Sequence, residues 1–215
     1  MTQSSVPKLI SDTWVKATWE EFIALADDPQ YAEGRCYYDE GYLRIEMAAL
    51  GPAHGQDNSI VSTVVVVYAA VNNIPIKELT NTSFRKIGVR ESQPDIAFYI
   101  GNSLQFPPRN NSPVDVNDLG APTLVIEIGS SSFADDIGRK RLLYEKLGIQ
   151  EYWVVDVAEG EVLAFAVANL GSKRIRASQV LPGLDMALVE EALKKSQTED
   201  DGAIARWLLT TFSPS

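Results

Sequence analysis

The chain is poor in cysteine and histidine: it has one of each, Cys36 and His54, in 215 residues. A single cysteine excludes an internal disulfide and any Cys-based zinc site. Basic side chains are not in surplus either. Lys+Arg number 19 against 29 Asp+Glu, a formal net charge of −10 at pH 7. That argues against a broad nucleic-acid surface, because phosphate binding draws on clustered Lys and Arg. A cleft around a divalent cation keeps its own local sign, so a confined phosphate site is compatible with the total. Long apolar runs are also missing. The longest, "IVSTVVVVYAAV", falls short of the roughly 18 residues of a membrane span, so no membrane association is expected. The N-terminus, "MTQSSVPKLISD", has neither the basic start nor the apolar stretch of a signal peptide, and a cytoplasmic protein is expected.

What remains is ordinary globular material, 45% hydrophobic and 22% charged. Residues 1–17 read as a loose lead-in and residues 18–215 as one domain with a sizeable core. "TWEEF" carries a capping box, with Thr18 as N-cap and Glu21 three residues on, opening a helix that Pro29 stops. "GRCYYDEGYLRIEMAAL" reads as a β-hairpin turning at Glu40 and Gly41. Its second strand puts Tyr42, Arg44 and Glu46 on one face, which reads most simply as a solvated line. "GPAHGQDNSIVSTVVVVYAAVNN" is open between strand and helix. Its β-branched residues favour a strand; its length and the cap-like Asp57-Asn58-Ser59 favour a helix. Strands follow at "IPIKEL", "SFRKIGV" and "PDIAFYI", then a long Pro/Asn-rich loop. "TLVIEIG" is a strand, "FADDIGRKRLLYEKLG" a helix ended by Gly148, and "QEYWVVD" the next strand. Strand, helix, strand in that order predicts an α/β unit within a mixed sheet. Edge strands at "EVLAFAV" and "RIRAS" precede helices near 187–195 and 202–212.

Two carboxylates are misplaced in this pattern. Glu127 lies inside an apolar strand, and Asp95 opens another. Isolated, each would cost several kcal/mol to bury. Side by side they would repel, and one would be driven to protonate. A hard cation such as Mg²⁺, which takes one or two carboxylates plus water and phosphate oxygens, removes the conflict. The plainer alternative is that each acid caps a loop or pairs with Arg85, Arg90 or Arg139. Asp136, Lys140 and Tyr144 follow at i, i+4 and i+8 and form one helical stripe. Lys140 there could orient a water and stabilise phosphate charge. Alternatively it forms a surface ion pair with Asp136 worth under about 1 kcal/mol. His54 sits in "GPAHG", read as a loop before a helix, and is a candidate for either a structural or a site role.

Taken in order, "TWEEFIAL", the hairpin ending in Glu46, "GPAHG", "PDIAFYI", "LVIEIGSSS" and "RKRLLYEKLGIQEYWVVD" resemble the Uma-two family. That family is restriction-endonuclease-like and belongs to the PD-(D/E)xK nuclease superfamily. The resemblance spans roughly residues 18–168. It implies an α/β restriction-endonuclease-like core: a central mixed β-sheet flanked by helices, with an N-terminal helix and β-hairpin. It implies that "HGQDNSIV" opens a helix. It assigns Asp95 to the "PD" motif, Glu127 to the next acid, Glu46 to the hairpin acid and His54 to the "HG" motif. The superfamily lysine would fall two residues after the acid, where this chain has Gly129; Lys140 matches the family's lysine on the following helix. The family's "SPS" is here "GSS", at Gly129 to Ser131. The implied activity is Mg²⁺-dependent DNA cleavage, with Mn²⁺ as a possible substitute. Asp95, Glu127 and the Ile128 carbonyl are then the metal ligands and Lys140 the water-orienting group, with Glu46 in reach of a second metal or its water and His54 a further catalytic candidate. Against it stand an inactive nuclease-fold module that binds nucleic acid or protein, and a homodimer assembled through a sheet edge or the C-terminal helices, where "AIARWLLTTF" has Ile204, Trp207, Leu208 and Phe212 near one face, a face more often packed on its own core.

Overall fold

Strand β9 (Leu124–Gly129) is buried along its whole length, and its side chains alternate between two different layers. Leu124, Ile126 and Ile128 join one apolar cluster, while Val125 faces a second. Glu127 shares the parity of Val125. The computed structural model describes residues 11–102 and 104–213; of the expected lead-in, residues 1–10 lie outside this range.

Around β9 runs a six-stranded mixed sheet in the order β12-β11-β10-β9-β7-β4. Its other members are β4 (Ile76–Thr80), β7 (Ile96–Ile100), β10 (Glu151–Asp156), β11 (Glu161–Ala168) and β12 (Gly171–Ile175). Strand β10 is parallel to β9, and β7 is antiparallel to it. This is the expected mixed sheet, with the last edge strand starting three residues earlier than "RIRAS" suggested. One face is covered by α2 (Pro52–Val71), α6 (Met186–Ser196) and α7 (Asp201–Phe212).

Helix α2 settles the ambiguous segment. Ile60, Val61, Val64, Val65 and Tyr68 recur at helical spacing and are buried against the sheet, and this burial overrides their strand propensity. The helix begins at Pro52 behind Gly51, earlier than Asp57-Asn58-Ser59 suggested, because proline at the first helical position needs no N–H partner. His54 is therefore in the first turn of α2 and not in a loop. Helix α7 sets Ile204 and Leu208 into the core and Phe212 edge-on to Tyr68 at 4.9 Å. That apolar face is covered by the chain itself and is not available to a second copy.

The hairpin builds a second mixed sheet, ordered β1-β3-β2-β6-β5-β8. It holds β1 (Val15–Lys16), β2 (Arg35–Asp39), β3 (Tyr42–Glu46), β5 (Phe84–Lys86), β6 (Arg90–Ser92) and β8 (Val114–Asp115). The turn has Glu40 at φ 45° and Gly41 at φ 92°, the pair of positive values a two-residue hairpin favours. Helix α1 (Trp19–Ala26) starts in the expected capping box and packs on Leu43 and Ile45. The other hairpin face, with Tyr42, Arg44 and Glu46, is turned towards β9. Arg44 and Glu46 are buried, so the line that read as solvated is an interior surface. Strand β6 was not legible: "RES" has no apolar residue, and its place comes from pairing with β2 and β5. The long loop holds β8 and the short helix α3 (Val116–Leu119), capped by Asp115.

The helix after β9 is not continuous. A short α4 (Phe133–Asp135) leads into a π-helical turn (Asp136–Lys140) and then α5 (Arg141–Leu147). Gly148 closes α5 in the left-handed region at φ 96°. An added Cβ there meets nothing within 4 Å, so only the backbone resists substitution. Gly148→Ala should lower stability by about 1–2 kcal/mol, read as a thermal-melt shift of a few degrees with no change at the site below.

Candidate active site

Strands β7 and β9 pair as Ile96↔Ile126, Ala97↔Val125 and Phe98↔Leu124, and the same register carried one step further sets Asp95 against Glu127. Both lie on the sheet face opposite Ile96 and Ile126, in the layer that also receives the hairpin. On β2, Arg35 and Tyr37 share the face that meets them, and Arg35 pairs across the hairpin with Glu46. Period-two alternation on four strands thus delivers Asp95, Glu127, Glu46 and Arg35 to one point. The π-helical turn adds Asp136 and Lys140. Asp95, Glu127, Glu46, Asp136 and Lys140 are all buried, Lys140 with no exposed surface.

Lys140 is the cation at the base of the cluster. Its Nζ lies 2.8 Å from Glu46 Oε1, 2.9 Å from Asp136 Oδ1 and 4.0 Å from Glu127 Oε1. It donates to the Tyr37 hydroxyl at 3.2 Å and sits 4.3 Å from that ring's centroid. The reading of Lys140 and Asp136 as a surface pair is therefore wrong. The two residues are neighbours on the stripe as expected, but the turn carries them inward. Tyr144, third on the stripe, donates its hydroxyl to Glu127 Oε1 at 2.7 Å.

Arg35 is the second cation, and it is the residue the sequence did not single out. Its Nη1 hydrogen-bonds Asp95 Oδ1 and lies 4.0 Å from Glu127 Oε2; its Nη2 lies 3.5 Å from Glu46 Oε2. Oxygens of Asp95 and Glu127 thus both lie within 4.0 Å of one nitrogen, and are less than twice that distance apart. The three arginines considered from sequence are elsewhere. Arg85 pairs with Glu91, Arg90 with Asp39, and Arg139 stacks between Trp14 and Tyr42 at 4.4 and 4.2 Å. The signal available for Arg35 was its i, i+2 relation to Tyr37 on a strand whose face turned out to be interior.

Asp95 is fixed further by the Ile128 N–H, which donates to its Oδ2 at 2.8 Å. His54 Nε2 approaches Asp95 Oδ1 to 3.2 Å, although it is not aligned for a hydrogen bond. Burial pushes against ionisation of Asp95, but His54, the Arg35 guanidinium and the Ile128 N–H outweigh it and hold the carboxyl below its usual range. Glu46 is likewise held low, burial being overcome by Lys140 and Arg35. Glu127 goes the other way. Complete burial lifts it well above the carboxylate range, and the pull of Lys140 is offset by Asp95 and Asp136. Asp136 is raised by burial too. Lys140 keeps its proton: desolvation is outweighed by Glu127, Asp136 and Glu46.

Above the cluster opens a cavity of about 250 Å³, lined by Arg35, Arg44, Glu46, His54, Ile128 and the loop Ser130–Ser132, among others. Asp95, Glu127 and Lys140 are not on its wall; Arg35 is. A Cβ at Gly129 would stand 3.0 Å from Asp136 Oδ2 and 3.2 Å from Phe133 Cα, so a side chain two residues after Glu127 would be tight against α4 and the π-helical turn. An ammonium reaches the acids from the π-helical turn.

The chain matches the family model of Uma2, described as "Putative restriction endonuclease", over residues 19–204. The chain belongs to the Uma2 family. Among curated proteins, none matches the chain. A crystal structure of a "putative nuclease belonging to DUF820" from Anabaena variabilis ATCC 29413 is similar in fold, with a TM-score of 0.54 at 20% identity. The match covers 82% of this chain and 99% of that one. Uma2 membership makes this a chain of a nuclease family, and such nucleases generally use divalent metals. The donors here suit a hard cation in kind: two carboxylates in register, a main-chain carbonyl beside them, and Glu46 Oε2 buried without a hydrogen bond. Even so, among the described residues no group of three or more His, Cys, Asp or Glu side chains is arranged to hold a metal ion. The guanidinium of Arg35 lies where the carboxylates converge.

Proposed function

We propose that this Uma2 protein is a Mg²⁺-dependent DNA endonuclease, with Mn²⁺ able to replace Mg²⁺. The observation that carries the reading is the register pair Asp95 and Glu127, buried with Lys140 next to residues, Arg35 and Glu46, that line a cavity. Asp95, Glu127 and the Ile128 carbonyl would hold the cation. Once bound, it would lower the pKa of an attached water and polarise the scissile phosphate. Lys140 would orient the attacking water and stabilise charge gathering on the phosphate, with Glu46 at 2.8 Å holding its ammonium in place. His54 would steady Asp95 from the first turn of α2. Residues 18–215 would act as one cytoplasmic restriction-endonuclease-like unit, and a homodimer would have to use a surface other than the covered face of α7.

One observation favours the inactive-module reading instead: Arg35 already neutralises the acids a metal would need. Plasmid nicking in Mg²⁺ or Mn²⁺ separates the two. The parent protein should nick supercoiled DNA, and Asp95→Asn should be about 100-fold slower or worse. Even partners that merely orient a metal ligand are worth 10–100-fold in affinity or activity, and a ligand is worth at least as much. Equal nicking by both proteins would point to a contaminant. No nicking by the parent on supercoiled, linear or single-stranded DNA would favour the binding module.

A further inference from the structure

We propose that Arg35 is a further working residue of this site: its guanidinium holds the place a divalent cation needs between Asp95, Glu127 and Glu46, and it has to swing into the cavity before the ion can bind. The inference rests on reading Asp95 and Glu127 as metal ligands, and it concerns what controls their occupancy. Three observations carry it. One guanidinium nitrogen reaches Asp95 and Glu127 together, and another reaches Glu46, so a single side chain spans the donor set. Arg35 lines the cavity while Asp95 and Glu127 do not, so the side chain that contacts both acids also borders open space. Its side chain is 14% exposed, against 2% and 1% for the two acids, so it has an open direction in which to move.

The physical argument is exclusion. A monovalent and a divalent cation cannot share these oxygens, because at contact distance in a poorly hydrated site their repulsion is large. The ion therefore binds only the fraction of molecules in which Arg35 has left, and the apparent affinity falls by that fraction. The cavity offers the displaced guanidinium a partner of its own. A phosphodiester there presents paired oxygens that a guanidinium grips bidentately. Nucleic acid bound in the cavity would thus draw Arg35 off the acids and raise metal affinity, and by linkage the metal would raise nucleic-acid affinity equally.

The test is calorimetric titration of the full chain with Mn²⁺, comparing the parent with Arg35→Gln, which is shorter than arginine, keeps an amide donor and drops the charge. Arg35→Gln should bind Mn²⁺ at least about 10-fold more tightly, a difference of about 1.4 kcal/mol. Equal or weaker binding by the variant would overturn the role of Arg35 while leaving the metal ligands standing. Absence of Mn²⁺ binding by both proteins at millimolar concentration would overturn the metal-site reading and this inference with it. Should Arg35→Gln not fold, the parent still gives an answer. The Arg35 Nε–H resonance, identified by its loss in Arg35→Lys, should move on Mg²⁺ addition with the midpoint of binding. A resonance that stays fixed while Mg²⁺ binds would refute displacement.

Discussion

Lys140→Ala should melt roughly 10 °C below the parent protein, the largest stability loss expected of any single change at the site. The ammonium has no exposed surface and touches Glu46, Asp136 and Tyr37, with Glu127 at 4.0 Å. Removing one partner of a buried ion pair costs about 3–5 kcal/mol, because the remaining charges stay buried without compensation. For a chain of this size each kcal/mol is worth about 2–4 °C. The sign of the pH dependence follows from the raised lysine pKa. Its contribution is fully present below the ordinary value of 10.5 and is lost only as pH rises through the folded value, so the gap should persist from about pH 6 to 9. Thermal melts by circular dichroism in EDTA measure it. A variant that melts within a degree or two of the parent would mean that the ammonium does not hold the acids together. The consequence for enzymology is direct: loss of nicking in Lys140→Ala says nothing about water activation unless the variant is shown to be folded at the assay temperature.

From sequence, that substitution looked nearly harmless, and the reason is instructive. The i, i+4 spacing of Asp136 and Lys140 describes an exposed surface pair and a buried one equally well. What decides between them is which layer covers the helix, and that layer includes Tyr37, 103 residues upstream of Lys140 and on another sheet. The same long-range fact hid Arg35. Its strand alternation with Tyr37 was legible, as was the alternation of Arg44 and Glu46, but whether that face met water or β9 depended on how the second sheet docks. The features that were legible are the local ones. The capping box at Thr18, the hairpin turn at Glu40 and Gly41, the stop at Gly148 and the parallel step from β9 to β10 each follow from a few adjacent residues. Glu127 and Asp95 stood out for a similar reason: a carboxylate in an apolar run is conspicuous without knowledge of its partner. Strand β6 was invisible because its three residues are all polar, although they are buried between β2 and β5.

Glu127→Gln should separate metal binding from folding more cleanly than any other change. In the metal-free protein, complete burial holds the Glu127 carboxyl well above its usual range, so the amide is close in shape and charge to the form the fold prefers. The Tyr144 hydroxyl can still donate to the side-chain oxygen, as it does to Oε1 at 2.7 Å. A carboxyl raised in the native state contributes stability that is fully present below the unfolded value of about 4.5 and is lost as pH climbs through the folded value. The variant lacks that loss. In EDTA it should therefore melt at or above the parent temperature at pH 8, and the two curves should converge towards pH 5. With Mn²⁺ added the order reverses. The parent gains stability by mass action, and the variant, lacking one anionic donor, binds the ion at least about 100-fold more weakly and nicks DNA correspondingly slowly. Melting curves across pH, calorimetric titration and plasmid nicking on one preparation give all three results. A variant that keeps the parent's metal affinity or nicking rate would remove Glu127 from the ligand set. A variant that melts far below the parent at pH 8 in EDTA would mean that Glu127 is ionised there and serves chiefly as the buried counter-charge of Arg35 and Lys140.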